Sequence, residues 1–314
     1  MNRILSPAEF LQIVAGVSRL PFLLLAPAVL LPVFVFSAIY SGQFDWGLAG
    51  QILLVAIAAH IAVNALNEYQ DFESGLDLQT ARTPFSGGSG TLPKYPYARS
   101  IALGVTIVSM LITVVVGISL VIHSDRQLIL PGIAGVVLII AYTRWINRLP
   151  LFCLFSPGLG FGLIMVNGAG KVLLDTVPPG IMALSLMATC QCSVLLLMNQ
   201  FPDIEADRDA GRRHVLIRYG IQSGVSLYIG MTCLAYLILV LAVVTGSLPT
   251  AALAGLLTVP LAVSVIDQLR KSTAANHLNI DQAFISAMGK NVAVTLLTPV
   301  ACGAGMLALL VISG

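Results

Sequence analysis

The chain has 314 residues, of which 57% are hydrophobic and only 10% are charged, and its formal net charge at pH 7 is +2. Because a soluble domain carries about 25% charged residues, this composition excludes a protein with an ordinary hydrated surface. Apolar runs of about 20 residues recur along the whole length, which predicts an all-α, polytopic membrane protein. The five cysteines lie in or beside these runs without zinc-site spacing, so we expect buried hydrophobic residues.

Nine segments are apolar and long enough to be candidate transmembrane helices. No polar linker of any size separates two hydrophobic blocks, so we expect a single transmembrane domain over residues 1–314. In chain order, the candidate spans are 12–40, 48–68, 98–122, 128–146, 153–171, 179–201, 223–246, 249–269 and 287–311.

The Lys and Arg residues are distributed unevenly between the predicted loops. If the N-terminus is cytoplasmic, 14 of the 16 basic residues lie in the N-terminal region and in the loops after even-numbered spans. Only Arg126 and Lys171 lie on the other side. Because positively charged loops are retained in the cytoplasm, we predict an integral protein of a prokaryotic inner membrane with a cytoplasmic N-terminus.

Two short segments hold eight of the 14 acidic residues, and each follows an apolar run. We call them the first acidic motif (residues 67–77, NEYQDFESGLD) and the second acidic motif (residues 199–209, NQFPDIEADRD). Both lie on the predicted cytoplasmic face. Acidic residues contribute little to membrane orientation, so topology does not explain the clustering.

The spacing within each motif predicts how its side chains are arranged. Both motifs open with Asn-x3-Asp, and residues four apart share one face of a helix. Asn199, Asp203 and Asp207 are therefore expected to form a stripe along one helix. In the first motif we expect the helix to end near Gly75, so that Asp77 returns on a loop.

The side chains of the two motifs suit one kind of ligand. Asp and Asn oxygens without His or Cys are typical of sites for hard cations such as Mg²⁺. Mg²⁺ usually combines a few carboxylates with phosphate oxygens of the substrate. The basic residues near the motifs also suit phosphate; they are Arg82, Lys94, Arg208, Arg212 and Arg213. The motifs thus indicate a site for a metal-bound polyphosphate, and the alternative is a solvated rim of mixed charge.

A glycine-rich segment, residues 82–93 (RTPFSGGSGTLP), follows the first motif. Its glycines, Gly87, Gly88 and Gly90, are compatible with a backbone nest that binds phosphate. A flexible loop at the membrane surface is an equally good interpretation. The segment is not a Walker motif because it lacks Gly-Lys-Ser/Thr.

The two acidic motifs resemble those of the UbiA superfamily of intramembrane prenyltransferases. The resemblance covers most of the chain, and the second motif continues into AGRRHVLIRYG. The first motif is most similar to the menaquinone branch, which prenylates 1,4-dihydroxy-2-naphthoate, and AYTRWINRLP (141–150) resembles the Tyr-Thr-x-x-x-Pro region of that branch. Glu68 stands where that branch commonly has Asp, Pro202 where many members have Arg, and the glycine-rich segment is unlike that of the best-known members.

The resemblance implies about nine helices around a central cavity that opens to the cytoplasm. It also implies an isoprenyl diphosphate whose head lies at the cavity mouth and whose tail lies in the bilayer-facing cavity. Asp71, Asp77, Asp203 and Asp207 would hold about two Mg²⁺ ions, helped by Asn67 and Asn199. Among the basic residues, Arg208, Arg212 and Arg213 are candidates to bind the diphosphate, with Arg82 and Lys94 beside the first motif.

Several residues are candidates to contact an aromatic acceptor. Tyr69, Phe72 and Tyr142 could line its site, although simple packing is the preferred interpretation for each of them taken singly. Arg19 would bind an acidic acceptor or serve as a topology anchor. His60, two turns before Asn67, would face the cavity or be a hydrogen-bonded core residue. Asn167 and Asn291 are left without an assignment.

Three other functions are compatible with parts of the pattern. One is transfer to a different aromatic acceptor such as 4-hydroxybenzoate, and another is cyclisation of the prenyl diphosphate. A third is an ion-coupled transporter, which would place its ionisable residues near the bilayer midplane rather than at helix ends. No nucleic acid partner is expected, because the basic residues are dispersed among acids.

Overall fold

The computed structural model describes residues 5–274 and 277–313. Ten main helices follow one another, and the described residues contain no strand. They are α1 (Pro7–Val17), α2 (Leu25–Ser41), α3 (Trp46–Glu73), α4 (Arg99–His123), α5 (Ile129–Ala141), α6 (Pro150–Leu174), α7 (Pro179–Gln200), α8 (Ile221–Val244), α9 (Val259–Ser272) and α10 (Gln282–Ser313). Short 3₁₀ segments precede α2 and α9, at Leu20–Leu24 and Thr250–Thr258.

Eight of the described helical segments are long and apolar enough to cross a membrane. The predicted span 128–146 corresponds to Arg126–Ala141, which is shorter than the 18 residues that define this group. The chain leaves the helix at Tyr142 and makes a 3₁₀ turn at Ile146–Arg148 before Pro150 starts α6. The all-α membrane fold is confirmed, and the count of nine spans stays a prediction.

Helix α7 is the centre of the bundle. Its residues are buried along most of its length, and it packs against α6, α8 and α10. Helix α3 packs most extensively against α4. Helix α5 is peripheral and has no buried residue. This arrangement leaves a space between α3, α4, α5, α6 and α7.

The middle of α6 is a π-helix, Leu159–Val166. Such segments are rare and often occur at functional sites. One face of α6 has glycines that allow close approach to α7: a Cβ at Gly162 would lie 2.6 Å from the Ser185 carbonyl oxygen. The other face presents Gly160 and Phe161 to the interior space.

The glycine-rich segment is held against α3 by a buried carboxylate. Glu68 is completely buried. It accepts hydrogen bonds from Arg19 Nε at 2.8 Å and from both the N–H and the hydroxyl of Ser89 at 2.7 Å. Arg19 adopts a left-handed conformation with φ of 51°, which is unfavourable for a residue other than glycine. The ion pair with Glu68 offsets that cost and ties three segments of the chain together.

We expect Gly162→Ala to destabilise the protein relative to Gly160→Ala. Both changes improve helix propensity, but only the methyl group at position 162 would collide with α7, whereas nothing lies within 4 Å of a Cβ at position 160. Overpacking of this kind costs about 1–3 kcal/mol. Thermal unfolding of the two variants in detergent measures the difference, and equal stability would contradict the packing of α6 on α7.

We expect Glu68→Gln to loosen the glycine-rich segment. The variant removes the charge that pairs with Arg19, and hydrogen bonds to charged groups contribute about 1.5–3 kcal/mol each. Hydrogen exchange of the Ser89 amide, followed by mass spectrometry of peptides covering residues 82–93, should become faster.

Glu73→Gln is the matched control, because Glu73 ends the same helix but forms an exposed pair with Arg99 at 3.3 Å. Exposed pairs contribute about 0–1 kcal/mol. Unchanged exchange of the Ser89 amide in Glu68→Gln would show that Glu68 does not hold the segment.

Candidate active site

A cavity of about 1230 Å³ lies between α3, α4, α5, α6 and α7. Most of its wall is apolar, and the exceptions are concentrated at one end. There the acidic side chains of both motifs line the wall, together with both asparagines that open the motifs; they are Asn67, Asp71, Asp77, Asn199, Asp203 and Asp207. We call this end the acidic mouth. The six residues selected from the sequence are therefore brought together at one place.

The first motif reaches the acidic mouth after a helix end near Gly75, as predicted, but Asp77 lies in a short helix, Leu76–Gln79, and not on the predicted loop. Asn67 Nδ2 donates to Asp71 Oδ2 at 2.9 Å and to Thr143 Oγ1 at 3.1 Å. Helix α3 ends at Glu73, and Gly75 adopts a left-handed conformation with φ of 80°. The chain then reverses, so that Asp77 is buried and faces the cavity.

The second motif reaches the same place by a different route. We predicted one continuous helix for Asn199, Asp203 and Asp207, and this was wrong. Helix α7 ends at Gln200, and a new short helix begins at Ile204. Pro202 explains the break, since proline lacks an N–H donor and restricts the residue before it. The three side chains line the cavity from two helices joined by a turn.

Arg212 connects the two motifs. Its guanidinium donates to Asp207 Oδ1 at 2.9 Å and to Asp71 Oδ1. Burial by itself would lower the pKa of Arg212, but the carboxylates of Asp71 and Asp207 more than offset it and raise the pKa. His214 Nε2 lies 3.2 Å from Asp207 Oδ2 on the same side.

Two carboxyl groups at the mouth are harder to ionise than usual. Burial, reinforced by the carboxylates of Glu68 and Asp71, raises the pKa of Asp77 to about 7. Burial, reinforced by the carboxylate of Asp207, raises the pKa of Asp203 to about 7. Asp77 Oδ2 and Asp203 Oδ1 are buried without a hydrogen-bond partner among the described residues. Such groups are stabilised as carboxylates by an added positive charge.

The glycine-rich segment forms a wall of the mouth. Gly87 and Gly88 have φ of 79° and 74°, and both line the cavity. Asp203 lies within hydrogen-bonding reach of the Gly87 N–H and the Ser86 hydroxyl. A Cβ at Gly88 would lie 2.9 Å from Asp77 Oδ1. In this structure the backbone donors face carboxylates of the two motifs, and the phosphate nest stays a prediction.

Other candidates from the sequence fall into two groups. Arg19 and Tyr142 line the cavity, and so does His60. Outside the lining lie Tyr69, Phe72, Arg82, Lys94, Arg208 and Arg213. Tyr69 and Phe72 pack in a separate small apolar cluster, and Arg208 and Arg213 are exposed. Arg82 donates to the Asp77 carbonyl oxygen at 2.8 Å, and Lys94 lies 5.0 Å from the Tyr95 ring centroid.

Some lining residues were missed by the sequence interpretation. Asn147, Cys153, Gln200 and His214 all line the cavity near the second motif. Gln200 follows Asn199 directly, and Asn147 lies in the segment that resembles the family's Tyr-Thr region. Their positions depend on the turn after α5 and the start of α6, which no spacing pattern predicted. His60 Nδ1 has no hydrogen-bond partner among the described residues, and the ring packs edge-on against Phe161 with the ring centroids 4.8 Å apart.

The donors at the mouth fit a hard cation only in combination with a ligand. The Asp and Asn side chains at the acidic mouth present carboxylate and amide oxygens, which are ligands that suit Mg²⁺. Within residues 5–274 and 277–313, no group of three His, Cys, Asp or Glu side chains is arranged to hold a metal ion. Phosphate oxygens from a substrate would complete the coordination, which is the usual mode for Mg²⁺.

Comparisons with known proteins identify the family of this chain. Residues 29–288 match the model of the UbiA prenyltransferase family. A similar protein is the 1,4-dihydroxy-2-naphthoate octaprenyltransferase of Bacillus subtilis (strain 168), which is 27% identical over 213 residues, or 67% of each chain.

The fold is shared with solved structures. One is a UbiA homolog from Archaeoglobus fulgidus bound to DMAPP and Mg²⁺, with a TM-score of 0.68, 11% identity, and coverage of 93% of this chain and 99% of that one. Another is a digeranylgeranylglyceryl phosphate synthase, with a TM-score of 0.66, 14% identity, and coverage of 96% and 99%. The family match spans most of the sequence, and the chain belongs to the UbiA prenyltransferase family.

Proposed function

We propose that this prenyltransferase moves a polyprenyl group from an isoprenyl diphosphate to an aromatic acceptor, with 1,4-dihydroxy-2-naphthoate as the best candidate. The observation that carries the proposal is the junction of the acidic mouth with a mostly apolar cavity of about 1230 Å³. An isoprenyl diphosphate has a charged head and a long apolar tail, so it matches both parts. Similarity to a naphthoate octaprenyltransferase supports the choice of acceptor.

In this proposal Asp71, Asp77, Asp203 and Asp207 hold about two Mg²⁺ ions, and Asn67 and Asn199 supply further oxygens or orient the ligands. Bound Mg²⁺ neutralises the negative charge that develops on the diphosphate as it leaves. Asn67 already donates to Asp71, which fixes the orientation of that carboxylate. The unpartnered oxygens of Asp77, Asn199 and Asp203 are available for the ions.

Arg212 has the second role at the mouth, as a partner for the diphosphate. Its guanidinium lies between the motifs, within contact of both. Planar guanidinium groups bind phosphate oxygens in pairs, so Arg212 stabilises the leaving group. Arg82, Lys94, Arg208 and Arg213 lie outside the cavity lining, and we propose that they attract the diphosphate to the mouth.

The apolar part of the cavity protects the reaction. Cleavage of the allylic C–O bond leaves a carbocation, and an electron-rich ring of the acceptor attacks it. The attacked ring carbon then loses its proton, or CO2 where that carbon carries the carboxylate. Walls such as Phe161 and Ile164 exclude water, which would otherwise capture the cation. We further propose that residues 1–314 act as one unit in a prokaryotic inner membrane, with the mouth and the N-terminus on the cytoplasmic side.

The first experiment tests the reaction and its acceptor. The protein in detergent is given geranylgeranyl diphosphate and Mg²⁺, with and without 1,4-dihydroxy-2-naphthoate, and products are identified by mass spectrometry. A prenyl naphthoquinol that forms with Mg²⁺ and does not form in EDTA is expected. Pyrophosphate release with a cyclised hydrocarbon would identify a cyclase instead, and no release with any donor would contradict the proposed role of the mouth.

We expect Asp71→Ala and Asp203→Ala each to lower kcat/KM by about 100-fold or more, because each removes a carboxylate that binds the metal ions. Asp209→Ala is the matched control, since Asp209 belongs to the second motif but is exposed and lies outside the cavity lining. Thermal unfolding checks that the variants are folded. Full activity in a folded Asp71 or Asp203 variant would contradict the metal site.

We expect Mg²⁺ binding in the presence of pyrophosphate to weaken when the pH falls from about 8 to about 6, because Asp77 and Asp203 must lose protons near pH 7 to bind a cation. The same raised pKa values have an opposite effect on the protein in EDTA. A raised carboxyl pKa contributes stability below the ordinary value near 4 that is lost as the pH rises through about 7.

Thermal unfolding at several pH values measures both effects. The midpoint in EDTA should fall as the pH rises through about 7, and the increase caused by Mg²⁺ with pyrophosphate should be larger at the higher pH. The double variant Asp77→Asn, Asp203→Asn should lose most of this dependence. A wild-type midpoint that is independent of pH would refute the raised pKa values.

A further inference from the structure

Two amide side chains with free acceptor oxygens lie beside the acidic mouth. Asn147 and Gln200 both line the cavity and are each 7% exposed. Asn147 Oδ1 and Gln200 Oε1 are buried and have no hydrogen-bond partner within residues 5–274 and 277–313. Buried polar groups nearly always have a hydrogen-bond partner. Two amide oxygens without partners on the wall of one cavity therefore indicate a ligand that donates hydrogen bonds to them.

The backbone holds Asn147 next to the second acidic motif. Its N–H donates to the Tyr142 carbonyl oxygen at 3.1 Å, and its own carbonyl oxygen accepts from the Arg213 N–H at 3.0 Å. The side-chain Nδ2 donates to the Thr143 carbonyl oxygen. A carbonyl oxygen can only accept, so this bond determines which end of the amide is which. Oδ1 is therefore the end left without a partner.

Gln200 is placed by the end of α7 and the start of α6. Its Nε2 donates to Cys153 Sγ at 3.3 Å. Tyr142 lies within hydrogen-bonding reach of Cys153, and both of these residues also line the cavity. Tyr142 thus links the two amides, because its carbonyl oxygen accepts from the Asn147 N–H and its side chain reaches Cys153, the partner of Gln200. The four residues Tyr142, Asn147, Cys153 and Gln200 form what we call the amide subsite.

The chemistry of the amide subsite excludes the diphosphate and selects a hydrogen-bond donor. Diphosphate oxygens carry negative charge and only accept, so they would be repelled by the unpaired amide oxygens. The subsite contains no charged side chain, so it is not built to bind a carboxylate. Arg19, the candidate for that role, already donates to Glu68 and to Asn67 Oδ1 at 2.9 Å. Hydroxyl groups meet the requirement, because each supplies one O–H donor.

We propose that the amide subsite binds the acceptor through its hydroxyl groups, so that Asn147 and Gln200 select an aromatic diol. This inference rests on the proposed function, since the subsite lies beside the mouth where the prenyl group would be released. Hydroxyl groups also make a ring electron-rich, which the attack on a carbocation requires. The same two residues therefore favour the ring that reacts and orient it toward the mouth.

The test compares acceptors and variants with one prenyl donor, geranylgeranyl diphosphate. The acceptors are 1,4-dihydroxy-2-naphthoate and its two monomethyl ethers, each of which cannot donate from one oxygen. The variants are Asn147→Leu and Gln200→Leu, and Gln200→Glu retains an acceptor oxygen. Gln191→Leu is the matched control, because Gln191 lies on the same helix, is 4% exposed with both amide atoms unpartnered, and does not line the cavity.

We expect Asn147→Leu and Gln200→Leu each to raise the KM for the diol by about fivefold to tenfold, the effect of one lost hydrogen bond, with the KM for the donor unchanged. The unchanged donor KM also shows that the variants are folded. Each leucine variant should discriminate less than the wild type between the diol and one methyl ether, namely the ether that lacks the hydroxyl group bound by the replaced residue. Gln200→Glu should retain part of the discrimination, and Gln191→Leu should behave like the wild type.

Two results would overturn the inference and leave the proposed function intact. One is an unchanged diol KM in both leucine variants. The other is equal use of the diol and both methyl ethers by the wild type, which would mean that the amide oxygens bind only water. Failure of the wild type to prenylate any aromatic acceptor would instead count against the proposed function.

Discussion

The arrangement of this protein depends on how buried carboxylates are paired at the end of an apolar helix bundle. A buried carboxylate is costly unless a positive group or several donors lie in contact with it. Arg212 meets this need for Asp71 and Asp207, which come from different motifs. Arg19 and Ser89 meet it for Glu68. These contacts bring the turn after α1, the end of α3, the glycine-rich segment and the chain just after the second acidic motif to one place.

The same contacts separate structural carboxylates from those that remain available. Both carboxylate oxygens of Glu68 accept hydrogen bonds within the protein. Glu68 and the glycine-rich segment both differ from the menaquinone-branch pattern, and Glu68 holds that segment in place. Asp77 and Asp203 keep an unpartnered oxygen each. Glu68 also lies outside the cavity lining, whereas all four proposed metal ligands line it, and this position is the reason that they exclude Glu68.

The cavity adds a second division, between charged and neutral polar groups. The acidic mouth holds the Asp and Arg side chains of the motifs, while the amide subsite next to it contains no acidic or basic side chain. A diphosphate head group and a hydroxyl-bearing ring would thus be directed to adjacent places. The remaining wall is apolar and suits a prenyl chain. The cavity therefore combines a charged region for one substrate with a neutral polar region for the other. The helix ends and turns around α7 separate the acidic mouth from the amide subsite.

The sequence by itself determined the membrane class, the positions of the long helices and the six residues that open onto the mouth, because apolar runs and clustered acids are local signals. It also predicted the reversal at Gly75, since glycine readily adopts left-handed backbone conformations. Only the tertiary structure showed that Pro202 divides the second motif, that Arg212 rather than Arg208 or Arg213 joins the motifs, and that Asn147 and Gln200 are neighbours of one subsite. Those facts depend on contacts between residues far apart in the chain, and no local spacing encodes them.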